Sequence, residues 1–375
     1  MKDRNEIKKA QRIVVKVGTS TLNHTAGRLN IHRIECMDRQ LADLANQDKD
    51  ILLVTSGAVG AGLSRMKIKK RPDNIPDKHA LAAIGQRILM HIYEKLFGEY
   101  GQTVAQVLLT KENSVRYSQY INSRNALLAL LQMHVIPIIN ENDVVAIDQL
   151  KIGDNDTLSA TVASIVDADA LVLLTDIDGL YTANPQKVPD AQLIDKISEI
   201  TPEIEDIAGG AGTTLGTGGM FTKIKAAKIA VNSGVTMVIA NGSRENVLPD
   251  IFAGKSVGTI FPAREAHLKQ RKRWIAFGKR IAGSIVVDHG CEDALIKHGS
   301  SILAAGITTF EGDFPAGSTV RVLSTDSQEI ARGIINYDTE SLKKIIGHNT
   351  RDFASLLAGK VYDEVIHRDN MVLMV

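Results

Sequence analysis

Residues 50–62 read "DILLVTSGAVGAG". Ile51, Leu52, Leu53 and Val54 are apolar without interruption, the pattern of a strand covered on both faces. Thr55 and Ser56 end the run, and Gly57, Gly60 and Gly62 follow directly. Glycine at a strand-to-helix turn either lets a ligand approach the backbone or lets a helix pack closely against its neighbour. The local sequence does not choose between the two. The same grammar recurs in "RIVVKV" (12–17), "VAQVLLT" (104–110), "HVIPIIN" (134–140), "ALVLLTD" (170–176) and "VTMVIANG" (235–242). Helical patterns separate them, among them "IHRIECMDRQLADLANQ" (31–47), "KHALAAIGQRILMHIYEKLFGEYG" (78–101) and "SRNALLALLQMH" (123–134). Alternation of this kind predicts an α/β domain with a mainly parallel sheet sandwiched by helices. Such sheets bind ligands beyond the carboxyl ends of their strands.

The pattern runs through residues 1–262. A basic segment, "AREAHLKQRKRWIAFGKR", occupies 263–280 and reads as a linker. Beyond it, short β-like runs punctuated by glycine ("GSIVVD", "SSILAAGITTFEG", "STVRVLS", "EIARGIINY") predict a separate small β-rich domain over 281–375. The 375 residues suit two domains, and 44% hydrophobic with 23% charged residues is ordinary for a globular protein. A net charge of +1 gives no global field for nucleic acid or membrane, and 4% aromatics make a base-stacking surface a poor expectation. Cys36 and Cys291 stand far apart and form neither a disulfide framework nor a metal cluster. The opening "MKDRNEIKKAQR" is charged rather than apolar, and no run reaches the ~20 residues of a membrane span. The expectation is a cytoplasmic protein without membrane association.

Four strand-end loops carry the chemistry. In "VVKVGTST", Lys16 ends an apolar strand, where burial without an anionic partner is costly; the alternative is a snorkelling side chain. In the opening stretch, Ser56 and Gly57 are the candidates. "IINENDVVAIDQLKIGDNDTLSA" sets Asn140 and Asp143 after a strand, and Asn155 and Asp156 before a helix; Asp156 also reads as an N-cap. "LLTDIDGLYTANP" ends a strand on Thr175 and Asp176, without the spacing of an EF-hand. A fifth stretch, "LGTGGMFTKIKAAKIAVNSGV" (215–235), leads from glycines past Lys223 into a helix whose apolar face is Ile224, Ala227 and Val231, with Gly234 as its stop. It matches neither a P-loop nor a dinucleotide fingerprint. Unpaired N–H groups, a helix dipole and a lysine make an anion site, the alternative being a flexible loop.

No Ser-His-Asp or Cys-His arrangement is apparent. Phosphoryl transfer to a carboxylate needs no general base, because that acceptor is already ionised. It needs cations, and Lys16 and Lys223 with Mg²⁺ on nucleotide phosphates would suit.

At "VVKVGTS", "VTSGAVGAG", "PIINENDVV", "KIGDNDTLSA", "LLTDIDGLYTANP" and "GTGGMFTK", in that order, the chain resembles the amino acid kinase family. Its end, with "HGSSILAAGI", "FPAGSTVRV" and "IARGIINY", resembles a PUA domain. The resemblance implies ATP-dependent phosphorylation of the γ-carboxylate of L-glutamate to L-glutamate 5-phosphate, the first step toward proline. It implies Lys16, Lys223 and Asp156 as catalytic, with Asp156 holding the two lysines. It implies Ser56, Gly57, Asp143 and Asn155 on glutamate. Lys16, Thr175, Asp176, Thr217, Gly218, Gly219, Met220 and Lys223 would contact ATP, with Mg²⁺ carried on ATP and no direct protein ligands to it. Proline as feedback inhibitor and a homo-oligomer are further implications. The rivals are a family member with aspartate, N-acetylglutamate, carbamate or UMP as acceptor, and an RNA-binding PUA protein.

Overall fold

The computed structural model describes residues 2–24, 28–68, 70–110, 117–145, 155–183, 185, 188–209, 219–263, 281–357 and 362–374. The chain divides into two units, Met1–Glu265 and Ala266–Val375. Of the expected linker 263–280, only Ala263 is among the described residues.

In the first unit the strands are β1 (Arg12–Val17), β2 (Asp50–Val54), β3 (Thr103–Leu109), β4 (Val135–Glu141), β5 (Ala170–Thr175), β6 (Thr236–Asn241) and β7 (Thr259–Phe261). They form one sheet in the order β3-β4-β2-β1-β5-β6-β7. All pairs are parallel except β6 with β7. Six helices matter for the site: α1 (Ile31–Ala45), α2 (Ala58–Met66), α3 (Ile75–Glu99), α4 (Tyr117–Gln132), α5 (Asn155–Ile165) and α6 (Met220–Asn232).

The continuous apolar strands have the predicted cause, since each face of the sheet is covered. Ile13, Val15 and Val17 of β1 join one core with Leu41 of α1, Ala61 of α2 and Tyr93 of α3. Val14 joins the other, with Leu127 of α4, Leu158 of α5 and Ile224 of α6. Alternation along a strand then sends Lys16 to the same side as Val14, the side of α5 and α6. Chain direction matters equally. From β1 the chain builds outward through β2, whereas β5, β6 and β7 build the other way. The crevice at that reversal, outside the carboxyl ends of β1 and β5, is where such a sheet offers a site.

The α6 pattern folds as its spacing requires, with Ile224, Ala227 and Val231 buried. Gly234 has φ +75°, and its N–H donates to Val231 O at 3.2 Å, closing the helix end.

The second unit has a five-stranded sheet of β8 (Gly283–Val287), β9 (Ile307–Glu311), β10 (Thr319–Leu323), β11 (Glu329–Ile334) and β12 (Met371–Leu373), ordered β12-β11-β10-β8-β9. Only β8 with β10 is parallel. Its core, including Ile285, Leu295, Val320, Phe353 and Ile366, is its own. The run "SSILAAGITTFEG" is strand only from Ile307. Before it, Ala304–Gly306 makes a 3₁₀ turn that seats Gly306 against Cys291, where a Cβ would lie 2.7 Å from Cys291 Cβ. Helices α7 (His289–His298) and α8 (Thr339–Ile345) accompany the sheet. They begin at Asp288 and Asp338, whose carboxylates accept from Cys291 N at 2.7 Å and Ser341 N at 2.8 Å.

Candidate active site

Lys16 ends β1 with its side chain turned toward α5. Its Nζ lies 2.5 Å from Oδ1 of Asp156, in the first turn of α5. The other oxygen, Oδ2, lies 3.1 Å from Nζ of Lys223, in the first turn of α6, and accepts from Thr222 Oγ1 at 2.9 Å. The three charged residues are 7%, 1% and 5% exposed (Lys16, Asp156, Lys223). A charge so buried persists only when paired and hydrogen-bonded. Burial alone would push the Asp156 carboxyl up. The Lys16 and Lys223 ammoniums and the Thr222 hydroxyl more than offset this and hold it below the usual carboxylate range. The N-terminus of α5 also favours the carboxylate, whereas Lys223 faces the positive end of α6 and depends on Asp156.

The snorkelling reading of Lys16 and the N-cap reading of Asp156 therefore give way to an ion triad. Within the triad, two ammoniums against one carboxylate leave one surplus positive charge, in a cleft also lined by Arg71, Glu141, Asp143 and Asp176. Such a group draws an anion and stabilises negative charge arriving next to it.

The cleft containing the triad has a volume of about 560 Å³. Its walls come from the carboxyl ends of β1, β2, β4 and β5: Lys16 and Gly18, Ser56 and Gly57, Asn140 and Asp143, Thr175 and Asp176. Gly57 has φ +88°, a left-handed conformation that a side chain would strain, and it turns β2 into α2. Asn155 is fixed by its side-chain amide. Its Nδ2 donates to Thr55 O at 2.6 Å, Ser56 Oγ at 2.9 Å and Asn140 Oδ1 at 2.9 Å. Asp143 is half-buried at the rim, and Thr175 Oγ1 donates to Asp176 Oδ1 at 3.0 Å.

Lys16, Ser56, Gly57, Asp143, Asn155, Asp156, Thr175, Asp176 and Lys223 thus share one cleft. Gly219 caps α6 and Met220 opens it, but neither lines the cleft as described. Thr217 and Gly218 lie outside the described residues. Gly62 resolves the opening ambiguity in the other direction. A Cβ there would lie 2.1 Å from Leu81 O of α3, so this glycine serves helix packing and not a ligand. Sequence reasoning missed Arg71, which lines the cleft, and the Thr222 contact with Asp156. Thr222 was within reach, since it precedes Lys223 in a helix's first turn. Arg71 carries no local signal.

Comparison with known proteins agrees with the geometry. The profile of the Amino acid kinase family matches residues 11–241, and that of the PUA domain matches residues 283–357. The chain belongs to the amino acid kinase family and carries a C-terminal PUA domain. The glutamate 5-kinase of Caldanaerobacter subterraneus is 52% identical over 363 residues, spanning 97% of this chain and 98% of that one. The glutamate 5-kinase of Thermoanaerobacter sp. is 50% identical over the same shares. Among solved structures, a UMP kinase from Bacillus anthracis covers 68% of this chain and 96% of its own at 14% identity, with a TM-score of 0.47, too loose a likeness to carry an argument.

Proposed function

We propose that the chain transfers the γ-phosphoryl group of ATP to the γ-carboxylate of L-glutamate, giving L-glutamate 5-phosphate and ADP, the first step of proline biosynthesis. The observation that carries it is the Lys16–Asp156–Lys223 triad in a cleft that Ser56, Asn155 and Asp143 also line. Glutamate 5-kinases that match over nearly the whole chain support the same reading.

A glutamate γ-carboxylate oxygen attacks the γ-phosphorus, the bond to the bridging oxygen breaks, and ADP leaves with that electron pair. No proton moves, because the nucleophile is ionised at neutral pH. The protein's task is to bring two anions together and to stabilise the charge spread over the transferring group. Lys16 and Lys223 supply the positive charge, and Asp156 keeps both ammoniums aimed. Ser56, Gly57, Asp143 and Asn155 hold glutamate, with Asp143 facing its α-ammonium. Thr175, Asp176 and the 217–220 approach to α6 hold the nucleotide. Asp156 is already engaged by lysines, and Glu141, Asp143 and Asp176 also line the cleft; in this reading Mg²⁺ would arrive on the ATP phosphates rather than in a protein cage. There it would neutralise phosphate charge.

Proline shares the α-carboxylate and positively charged nitrogen of glutamate, and we place its inhibitory binding at or overlapping the glutamate end of the cleft. Among the described residues β3 is an edge strand paired only with β4, and that edge is a natural contact for a second copy, which supports a homo-oligomer. No described helix is long and apolar enough to cross a membrane, in keeping with a cytoplasmic site of action.

The test is ATP turnover with L-glutamate, aspartate, N-acetylglutamate, carbamate and UMP as acceptors. Turnover with L-glutamate should dominate, and Asp143→Ala should raise the KM for glutamate at least about tenfold, as for loss of a charged hydrogen bond. Preference for another acceptor would refute the proposal.

A further inference from the structure

One side-chain amide lining the cleft, that of Asn155, is held from a distance. Nδ2 of Asn155 faces the backbone carbonyl of Thr55 at 2.6 Å. A carbonyl can only accept, so this contact fixes which end of the amide is nitrogen. The oxygen, Oδ1, is thereby turned the other way on a residue that lines the cleft.

Two of the partners of Asn155 are in turn anchored by α3. Tyr93 is wholly buried, and its hydroxyl lies 2.8 Å from Thr55 Oγ1. Gln86 Oε1 accepts from Asn140 Nδ2 at 2.8 Å. Asn140 Oδ1 also accepts from the Glu141 N–H at 2.9 Å, so Gln86 is one of two anchors for that side chain. Gln86 and Tyr93 are seven residues apart, two turns along one face of a helix. Neither lines the cleft.

We propose that Gln86 and Tyr93 are positioning residues for the acceptor. Through Asn140 and Thr55 they hold the Asn155 amide with its oxygen toward the cleft. There it accepts a hydrogen bond from the ammonium group of an amino-acid acceptor. This rests on the reading of the cleft as a glutamate site. It assigns to α3 a part in specificity that contact with substrate would never reveal.

The test uses the full chain and steady-state kinetics. Gln86→Leu and Tyr93→Phe should each raise the KM for L-glutamate about threefold to tenfold, the equivalent of one neutral hydrogen bond, with kcat and the KM for ATP unchanged. Gln86→Glu keeps an oxygen facing Asn140 and should restore a near-normal KM. In an Asn155→Ala background neither substitution should add to the effect, because both act through that amide. An unchanged KM for glutamate, a matched rise in both KM values, no rescue by Gln86→Glu, or full additivity with Asn155→Ala would overturn the inference. Should Tyr93→Phe fail to fold, Gln86, which is half-buried, carries the test alone. A wild-type chain that turns over ATP without using L-glutamate would instead refute the functional reading beneath it.

Discussion

At Asp156 two ammonium groups share one carboxylate that is 1% exposed. If both lysines face the transferring group, as proposed, Lys223→Ala should lower kcat by ~10²-fold or more, as when one preorganised electrostatic contact is lost. The fold should survive, because the loss leaves Asp156 paired with Lys16. Near-normal turnover by a folded variant would remove Lys223 from the mechanism. A second buried acid behaves in the opposite way. Asp38, on α1, is 0% exposed, and neither carboxyl oxygen has a hydrogen-bond partner among the described residues. Burial, and then the charge of Glu35, push its carboxyl well above the usual range. For an acid so shifted, stability is fully present below the unfolded value of about 4 and is lost as pH rises toward the folded value. Asp38→Asn cannot ionise, so its Tm relative to wild type should climb between acid and pH 8. A gap independent of pH would mean that Asp38 keeps its charge when folded. The triad was legible because a lysine at an apolar strand end and another at a helix mouth each call for an anion. Asp38 was legible in principle: it follows Ile34 by four residues and precedes Leu41 by three, on the buried face of its helix. Gln86 and Tyr93 were not legible, since they act only through tertiary contacts.

The close packing of α2 against α3 seats the Ser56–Gly57 loop that precedes α2. A Cβ on Gly85 would lie 1.7 Å from Ala58 O and 2.6 Å from Gly62 N, so the two helices meet backbone to backbone. Because α2 begins immediately after Ser56 and Gly57, a displaced α2 carries that loop with it. Gly85→Ala should therefore destabilise the chain by about 1–3 kcal/mol, as overpacking does. It should also raise the KM for glutamate more than that for ATP, since the loop it moves carries Ser56 and Gly57, the residues proposed to hold glutamate. Equal changes in both constants would show that the helix pair supports the fold alone. From the glycine run 57–62 a turn was readable, but the partner of Gly62 was not. Leu81 lies on another helix, and spacing within one segment says nothing about which surface comes to meet it.

For the whole molecule, unbroken apolar runs announced a sheet buried on both faces, and chain order then set the crevice at the β1/β5 reversal. In the second unit the alternation of short strands was readable, while α7 and α8 were hidden by their brevity. That unit has its own core, and no residue of the cleft belongs to it. Deleting residues 283–375 should accordingly preserve glutamate-dependent turnover and its inhibition by proline. Loss of inhibition with catalysis intact would move the proline site into the PUA unit. The central claim is that the cleft phosphorylates a carboxylate, and its product is an acyl phosphate. The direct measurement is to incubate the protein with ATP, Mg²⁺ and L-glutamate in the presence of hydroxylamine and to quantify the hydroxamate against ADP. The account predicts γ-glutamyl hydroxamate in step with ADP, dependent on L-glutamate and reduced ~10²-fold or more in Lys223→Ala. ADP release without hydroxamate, or hydroxamate formed equally well by that variant, would contradict it.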